Sequence, residues 1–469
     1  MCPDDAPGAA LQFHGNLPVA NSCRRPARLY HLPVLRTMTR ITTSWKTAWA
    51  TLLVIASSAA AADLSLEGAV QAALMGNRDL AAARFAVKKA EGRLRQSGLL
   101  PNPEIEFQGF SDFVSGGDGE GEFTIGLHQT LPLTARLSIA REVSRVGVAE
   151  ALREVRNHER MLVARVQELY VRVLVAQRRE TAGRQARLDA GELGKLATER
   201  LAAGQGSLAE SALARVDEQR WLTSSTAAAT DAERLRLEMK TALGLSSEAP
   251  LQLTQSLEAV VETLRARSYR TRPSYRPDVE LALLALDRAG AETRLAKASA
   301  WEGIRVGVEY LQDRGVDEPA GIDTGHFLGV KVSLPLPVWD RKTGEIEANQ
   351  AAQEQRAAQV RALELEVAND IAAARRRASL YDDQWKVFGR DTQPVIDRAE
   401  QDLAKGFEEG RVEARDLLFV RAQNASLRAE SADILGHLAL ALIELEAVAG
   451  THPSIAAPYL EETLPHRRN

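Results

Sequence analysis

Phe327–Asp340 reads FLGVKVSLPLPVWD. Leu328, Val330, Val332 and Leu334 alternate with Gly329, Lys331 and Ser333, the two-residue period of a strand with one apolar face. Pro335 and Pro337 mark a corner, because proline adds no N–H to a sheet ladder and enters a helix interior only at a cost. From about Lys342 the period changes to three and four residues, with Val360, Leu363, Val367 and Ile371 on one stripe. A strand, a proline corner and a long helix follow one another.

A twin lies about 200 residues earlier. Phe123–Arg136 reads FTIGLHQTLPLTAR, with Phe123, Ile125, Leu127 and Leu131 alternating before Pro132. A helical stripe through Ile139, Val143, Val146, Val155, Leu162, Val166, Leu169 and Val173 then runs to about Ala203. At 1.5 Å per residue this helix is on the order of 100 Å long, the range of a coiled coil. Each half also has an earlier strand. Ile105, Phe107 and Gly109 oppose Glu104, Glu106 and Gln108; Ile304, Val306, Val308 and Tyr310 oppose Arg305, Gly307 and Glu309. Ser115–Gly121 and Gln312–Gly325 read as the loops between paired strands, each strand being about 9–11 residues, enough to cross a bilayer at a tilt. Both long helices end at a glycine break, LAAGQG at Leu201–Gly206 and KGFEEG at Lys405–Gly410, and a further helix returns from each. Leu64–Gly98 reads as one opening helix, and Gly244–Pro273 as an irregular connector. The chain is therefore an internal duplication. The expected organisation is a first repeat over 63–250, a connector over 251–274, a second repeat over 275–450 and a tail over 451–469.

The composition is rich in Ala, Leu, Glu, Arg and Gln and poor in aromatics, which favours long helices. The net charge of −4 over 469 residues gives no basic excess for nucleic acid. Residues 38–62 have the pattern of an export signal: Arg40 and Lys46 precede the short apolar stretch Ala48–Ala56, and Ala59–Ala62 offers small residues for cleavage. Residues 1–37 read as an over-extended gene start. The two cysteines, Cys2 and Cys23, both lie in that extension.

Four amphipathic strands cannot close a barrel, and open edges are not tolerated in lipid. Several protomers are therefore expected to share one barrel. Its polar face, with Glu104, Glu106, His128, Arg305, Glu309 and Lys331, would line a watery lumen, because charge facing lipid is costly. A soluble sheet with one exposed face is the alternative reading of the strands alone. Pro132, Pro335 and Pro337 would stand where barrel becomes helix. The far turns, with Gly204, Gly206, Glu409, Gly410, Glu413 and Asp416, would form the closing tip. Glu408, Glu409, Glu413 and Asp416 read either as a cation-attracting ring or as acids placed favourably near a helix N-terminus.

These residues resemble the TolC-type outer-membrane efflux proteins, and most nearly the branch paired with cobalt–zinc–cadmium resistance pumps. The resemblance rests on Leu99-Leu100-Pro101-Asn102-Pro103, on QTLPL at Gln129–Leu133, on SLPLPVWD at Ser333–Asp340 with Arg341 and Gly344, on Ala203-Gly204 with Glu210, on Pro394, and on Gly406, Gly410 and Asp416-Leu417-Leu418. It spans about residues 64–450. It implies a mainly helical α+β fold and a homotrimer whose four strands per protomer make a twelve-strand barrel over a helical periplasmic tunnel. It also implies contact with outer-membrane lipid and work with a periplasmic adaptor and an inner-membrane pump of the resistance–nodulation–division type. Asp416 matches the aspartate that begins the family's acidic constriction; three residues on, Phe419 replaces the next acid. Thr134-Ala135-Arg136-Leu137 departs from that branch's Leu-Gly-Gly-Lys-Arg-like run.

The sequence offers no Ser/His/Asp arrangement, phosphate-binding glycine loop or HExxH motif, so an enzyme is not the expectation, nor is a cofactor or resident metal. His128, His158, His326, His437, His452 and His466 are scattered and read as packing or surface residues. The expected role is a passive exit duct. Divalent heavy-metal cations, drugs or other small molecules are its candidate cargo, and a periplasmic coiled-coil adaptor or scaffold is the alternative from another class.

Overall fold

The computed structural model describes residues 62–112, 119–267, 276–317, 319 and 321–450. The expected extension over 1–37, nearly all of the expected export signal and the tail over 451–469 lie outside them. Ala62, the last residue assigned to that signal, lies in a short strand, β1 (Ala62–Leu64).

The segment expected to be one opening helix is two, α1 (Leu66–Gly76) and α2 (Arg78–Gln96). Asn77 divides them. Its Oδ1 accepts from the Leu80 N–H at 2.9 Å while its own backbone N–H closes α1 on Ala73 O, so one residue ends a helix and caps the next. Strands β2 (Glu104–Ser111) and β3 (Gly121–Leu131) follow, then α3 (Arg136–Ala202) and α4 (Leu208–Leu243).

The expected connector carries regular structure. Strand β4 (Leu251–Leu253) pairs in parallel with β1, and α5 (Leu257–Ala266) starts from a Ser256 hydroxyl that accepts from Ala259 N–H at 3.2 Å. Leu257, Val260, Val261 and Leu264 are buried, at helical spacing, and form the face of α5 that meets the core.

The second half runs α6 (Pro277–Ala298), β5 (Ile304–Asp317), β6 (Gly321–Ser333), α7 (Thr343–Val387), a π-helical turn over Phe388–Thr392, α8 (Gln393–Glu408) and α9 (Ala414–Ala449). Of the segment Gln312–Gly325, expected to be a loop, residues 312–317 and 321–325 extend the two strands instead. Arg314 pairs with Thr324 and Val316 with Ile322, so β5 and β6 reach 14 and 13 residues rather than about 9–11. Glycine and aspartate there lower strand propensity, but an antiparallel ladder already begun at Ile304 carries them along. The π turn sits just before Pro394. A proline cannot donate to the carbonyl four residues back. The adjacent turn widens instead, and Gln393 N–H reaches Phe388 O.

Two open layers result. The strands form one antiparallel sheet in the order β2-β3-β5-β6. Among the helices, α3 packs on α4, α9, α6 and α2, and α7 packs on α6 and α9. Each layer thus ends in an edge from the first half and a different edge from the second. The main core lies where α3 passes α1, α4, α5 and α9, around Val166, Tyr170, Val173, Leu243, Val260 and Leu438. Tyr170 is wholly buried and donates its hydroxyl to Leu64 O at 2.9 Å, tying the short strand pair to the long helix.

Candidate functional site

The sheet carries the first candidate region. Register places Glu104 opposite His128, Glu106 opposite Gly126, His128 opposite Gly307, and Gly307 opposite Lys331. All six charged or ionisable residues singled out on the strands therefore share one face. Arg305 pairs with Glu104 and lies 3.9 Å from Glu106; Lys331 Nζ lies 2.9 Å from Glu309 Oε1. His128 is the centre of this belt, with only 2% of its surface exposed. Its Nε2 stands 3.2 Å from Glu106 Oε2 and 3.4 Å from Glu309 Oε1, between two carboxylates but at angles that make neither a formed hydrogen bond.

The imidazole has room because two neighbours are glycine. A Cβ at Gly126 would stand 2.6 Å from His128 Nε2, and one at Gly307 would collide with Nδ1. The ring therefore lies flat across the sheet rather than projecting from it. Sequence reading assigned Gly307 to the polar face without a role, and alternation puts Gly126 on the same face. The signal was there, since glycine inside a strand marks a close approach.

The opposite face is apolar and bare. Ile105, Phe107, Leu127, Val308, Leu328, Val330 and Val332 are all exposed, Leu328 and Val330 by 79% and 75%. From Ile304 to Tyr310 this band covers on the order of 20 Å along the strand, comparable with the apolar belt of a membrane barrel. Tyr310 closes it toward the hairpin ends, its hydroxyl 2.7 Å from His326 Nδ1 and the two rings stacked. At the other boundary Pro132, Pro335 and Pro337 all fall between strand and helix, outside both kinds of ladder. Thr134 fixes the first corner by donating to Ala298 O at 2.7 Å. The second corner is longer, and it holds the one non-glycine residue with positive φ among the described residues, Lys342. Trp339 there is 95% exposed.

The far turns form the second candidate region. Gly204 and Gly410 end their helices at φ +73° and +70°. Gly204 N–H reaches Leu201 O, and Gly206 N–H reaches Arg200 O; Gly410 N–H reaches Phe407 O, and Val412 N–H reaches Gly406 O. The two turns are the same turn. Gly204 corresponds to Gly410 and Gly206 to Val412, which shifts by two residues the alignment of Leu201–Gly206 with Lys405–Gly410 drawn from sequence. Glycine content alone misled there, because only the glycine at positive φ is required by the backbone.

Three acids of the second turn have basic partners. Glu413 makes a 2.9 Å ion pair with Arg200 of the first turn, Glu409 pairs with Arg411, and Asp416 Oδ1 lies 3.3 Å from Arg415 Nε. The Arg200–Glu413 pair joins the two turns directly. Arg200 was not picked out from the sequence, where nothing distinguishes it from other arginines of the long helix.

The model of the Outer membrane efflux protein family matches residues 69–245. The structure of CusC overlays 82% of this chain and 92% of its own at a TM-score of 0.64 and 17% identity. The fold is that of the outer-membrane efflux channels. The Campylobacter jejuni CmeC outer membrane channel overlays 82% of this chain and 85% of its own, with a TM-score of 0.65 and 15% identity. In sequence, the cobalt-zinc-cadmium resistance protein CzcC of Cupriavidus metallidurans is 21% identical over 83% of this chain and 91% of its own. The resemblance read from the strand, corner and tip motifs is thus borne out, and so is a mainly helical α+β fold of the efflux-channel kind.

Proposed function

We propose that this chain is the outer-membrane component of a tripartite efflux system, a passive duct that continues into the periplasm. One observation carries the reading: both layers of the protomer are open, and each ends in two unlike edges, β2 against β6 and α4 against α7. Unlike edges join head to tail, and such a contact repeated around an axis closes a ring. The sheet's bare apolar face and charged opposite face suit lipid outside and water inside.

Three protomers fit best. Two would give eight strands, a barrel whose interior is filled by side chains, whereas twelve strands leave a bore. Around that bore Glu104, Glu106, His128, Arg305, Glu309 and Lys331 would face water. The proline corners would lie at the inner boundary of the membrane, and the glycine turns at the periplasmic end, where a periplasmic adaptor and a resistance–nodulation–division pump would engage. Divalent heavy-metal cations are the favoured cargo, because CzcC, a cobalt-zinc-cadmium resistance protein, aligns over most of this chain.

Detergent-extracted protein is expected to have the mass of three protomers and to form ion-conducting pores in a planar bilayer. A monomer that stays soluble without detergent overturns the reading.

A further inference from the structure

The helical layer holds a cavity apart from both the sheet and the far turns. Its volume is about 1030 Å³, near the top of the range for small-molecule pockets, about 300–1,000 Å³. Residues of α3, the start of α5, the end of α7, the π turn, α8 and α9 line it. Gly389 of the π turn and Gln393, the first residue of α8, belong to that lining. Such turns within helices recur at functional sites. Six charged side chains line the cavity, and four of them are paired: Arg178 with Glu258, and Arg428 with Glu400, Nη2 to Oε2 at 2.5 Å. The other two are Asp189 on α3 and Arg421 on α9. Asp189 is 3% exposed. Gln185 Nε2 donates to its Oδ1 at 3.1 Å, and its Oδ2 has no hydrogen-bond partner. A buried carboxylate oxygen without a donor is costly. Burial pushes the Asp189 carboxyl up. The Gln185 hydrogen bond and the charge of Arg421 pull it down, against smaller upward pushes from Glu192 and Glu400. Glu400 has Arg428 beside it, and Glu192 is exposed, outside the lining. Arg421 is half-buried and makes no hydrogen bond or ion pair among the described residues, Asp189 included.

We infer that this cavity binds a small zwitterion of the amino-acid kind, with its ammonium on Asp189 and its carboxylate on Arg421. A simple cation would reach the Asp189 oxygen while facing the charge of Arg421, and a simple anion would meet the reverse. One molecule with both charges satisfies both groups, and a guanidinium and a carboxylate match as a two-pronged pair. Leu174, Leu257 and Trp385 line the same cavity where α5 begins. They offer an apolar wall to the ligand's side chain, so an aromatic amino acid suits the site. The site goes beyond the duct reading and stands without it, because every group it uses belongs to the helices of one protomer.

The test is isothermal titration calorimetry on the full protein in detergent, with L-phenylalanine and its two one-charge analogues, phenethylamine and hydrocinnamate. Wild type is expected to bind L-phenylalanine, and to bind each analogue about tenfold or more weakly, the size of losing one hydrogen bond to a charged group. Asp189→Asn keeps the shape of the side chain and removes its charge. It is expected to weaken L-phenylalanine and phenethylamine about tenfold or more and to spare hydrocinnamate. Arg421→Gln is expected to weaken L-phenylalanine and hydrocinnamate and to spare phenethylamine. Should Asp189→Asn not fold, as its melting midpoint would show, Arg421→Gln and the analogues on wild type decide the question. Absence of L-phenylalanine binding at millimolar concentration overturns the inference. So does an analogue that binds wild type as tightly, or a folded variant that binds L-phenylalanine as wild type does. None of these outcomes touches the duct, which conductance tests separately.

Discussion

The two halves of the protomer have the same plan but use it differently. Helices α3 and α4 have 67 and 36 residues; α7 through α8 fills Thr343–Glu408, and α9 again has 36. The shared turn puts α3 in register with the α7–α8 arm, Gly204 on Gly410. In α3 the stretch Val163–Ala176 buries Val163, Val166, Leu169, Tyr170, Val171, Val173, Leu174 and Ala176, on nearly every side. The corresponding stretch of α7 buries only Ile371, Ala374 and Ala378, a single stripe. A helix apolar all round belongs inside a protein, and one with a narrow stripe belongs at a seam. The duplication has therefore diverged into a central helix and an edge helix. Leu365, Leu380 and Val387 on α7 are exposed, as are Leu208, Leu213 and Val216 on α4. Both edge helices therefore carry large apolar side chains on their exposed faces.

The sharpest way to break this contrast is to truncate the same position in both halves. Tyr170 is wholly buried, and its counterpart in the second arm, Arg376, is exposed. Tyr170→Ala is expected to cost about 3–5 kcal/mol, the range for deleting a large buried aromatic ring. Arg376→Ala is expected to stay within about 0.5 kcal/mol, as surface changes do. Thermal midpoints of the detergent-solubilised variants measure both. Equal losses would mean that the arms are energetically alike and that the central-and-edge description is wrong.

Much of this contrast was legible in the residues. Val163–Ala176 is apolar in a dense run, whereas the stretch around Arg375-Arg376-Arg377 is not, and period alone found the strands, corners and long helices. What escaped was set by partners distant in sequence. Helix α5 looks too short to stand alone; its apolar face becomes decisive only against α3 and α9. The extra rungs of β5 and β6 depend on each other, since neither Arg314 nor Thr324 announces a strand by itself. On the polar face the six ionisable residues could be assigned to one side by alternation. Their pairing could not, because Glu309 and His128 stand 181 positions apart and meet only through the β3–β5 register. The tip acids looked like an open cluster because their arginine partners, Arg200 above all, are unremarkable in sequence.

The turns are where the halves have stayed alike, so they make the converse comparison. At Gly204 and Gly410 a Cβ would meet nothing within 4 Å, and only the positive φ opposes a side chain. Gly204→Ala and Gly410→Ala are each expected to cost about 1–2 kcal/mol, the penalty for a left-handed L-residue. The two costs should agree, and the double variant should show their sum less any coupling through the Arg200–Glu413 pair. Unequal single costs, read as shifts in the same melting midpoint, would show that the turns have diverged as the helices have.

The smallest effect concerns how each half starts its helix ahead of the strands. In the first, Asn77 caps α2 with an uncharged side chain, and Asp79 is exposed. In the second, Arg276 and Pro277 replace that cap, and Asp278 takes up the work. Its Oδ1 accepts from Val279 N–H at 3.1 Å and from Arg276 Nε at 3.0 Å, while Arg276 also reaches Val448 O on α9 at 3.3 Å. Burial pushes the Asp278 carboxyl up, but the hydrogen bonds and charge of Arg276, with the charge of Arg160, outweigh it and hold the group below the usual aspartate range. The sign follows from proton binding. The unfolded chain takes up the proton first, so the stabilisation is complete above the unfolded value of about 3.9 and is lost as pH falls through the lower folded value. Asp278→Asn should flatten that part of the acid limb of a melting-midpoint profile. If the variant keeps the wild-type acid limb, Asp278 does not anchor α6 to α9 through its charge. The second half would then start its helix as the first does, by backbone geometry and capping alone.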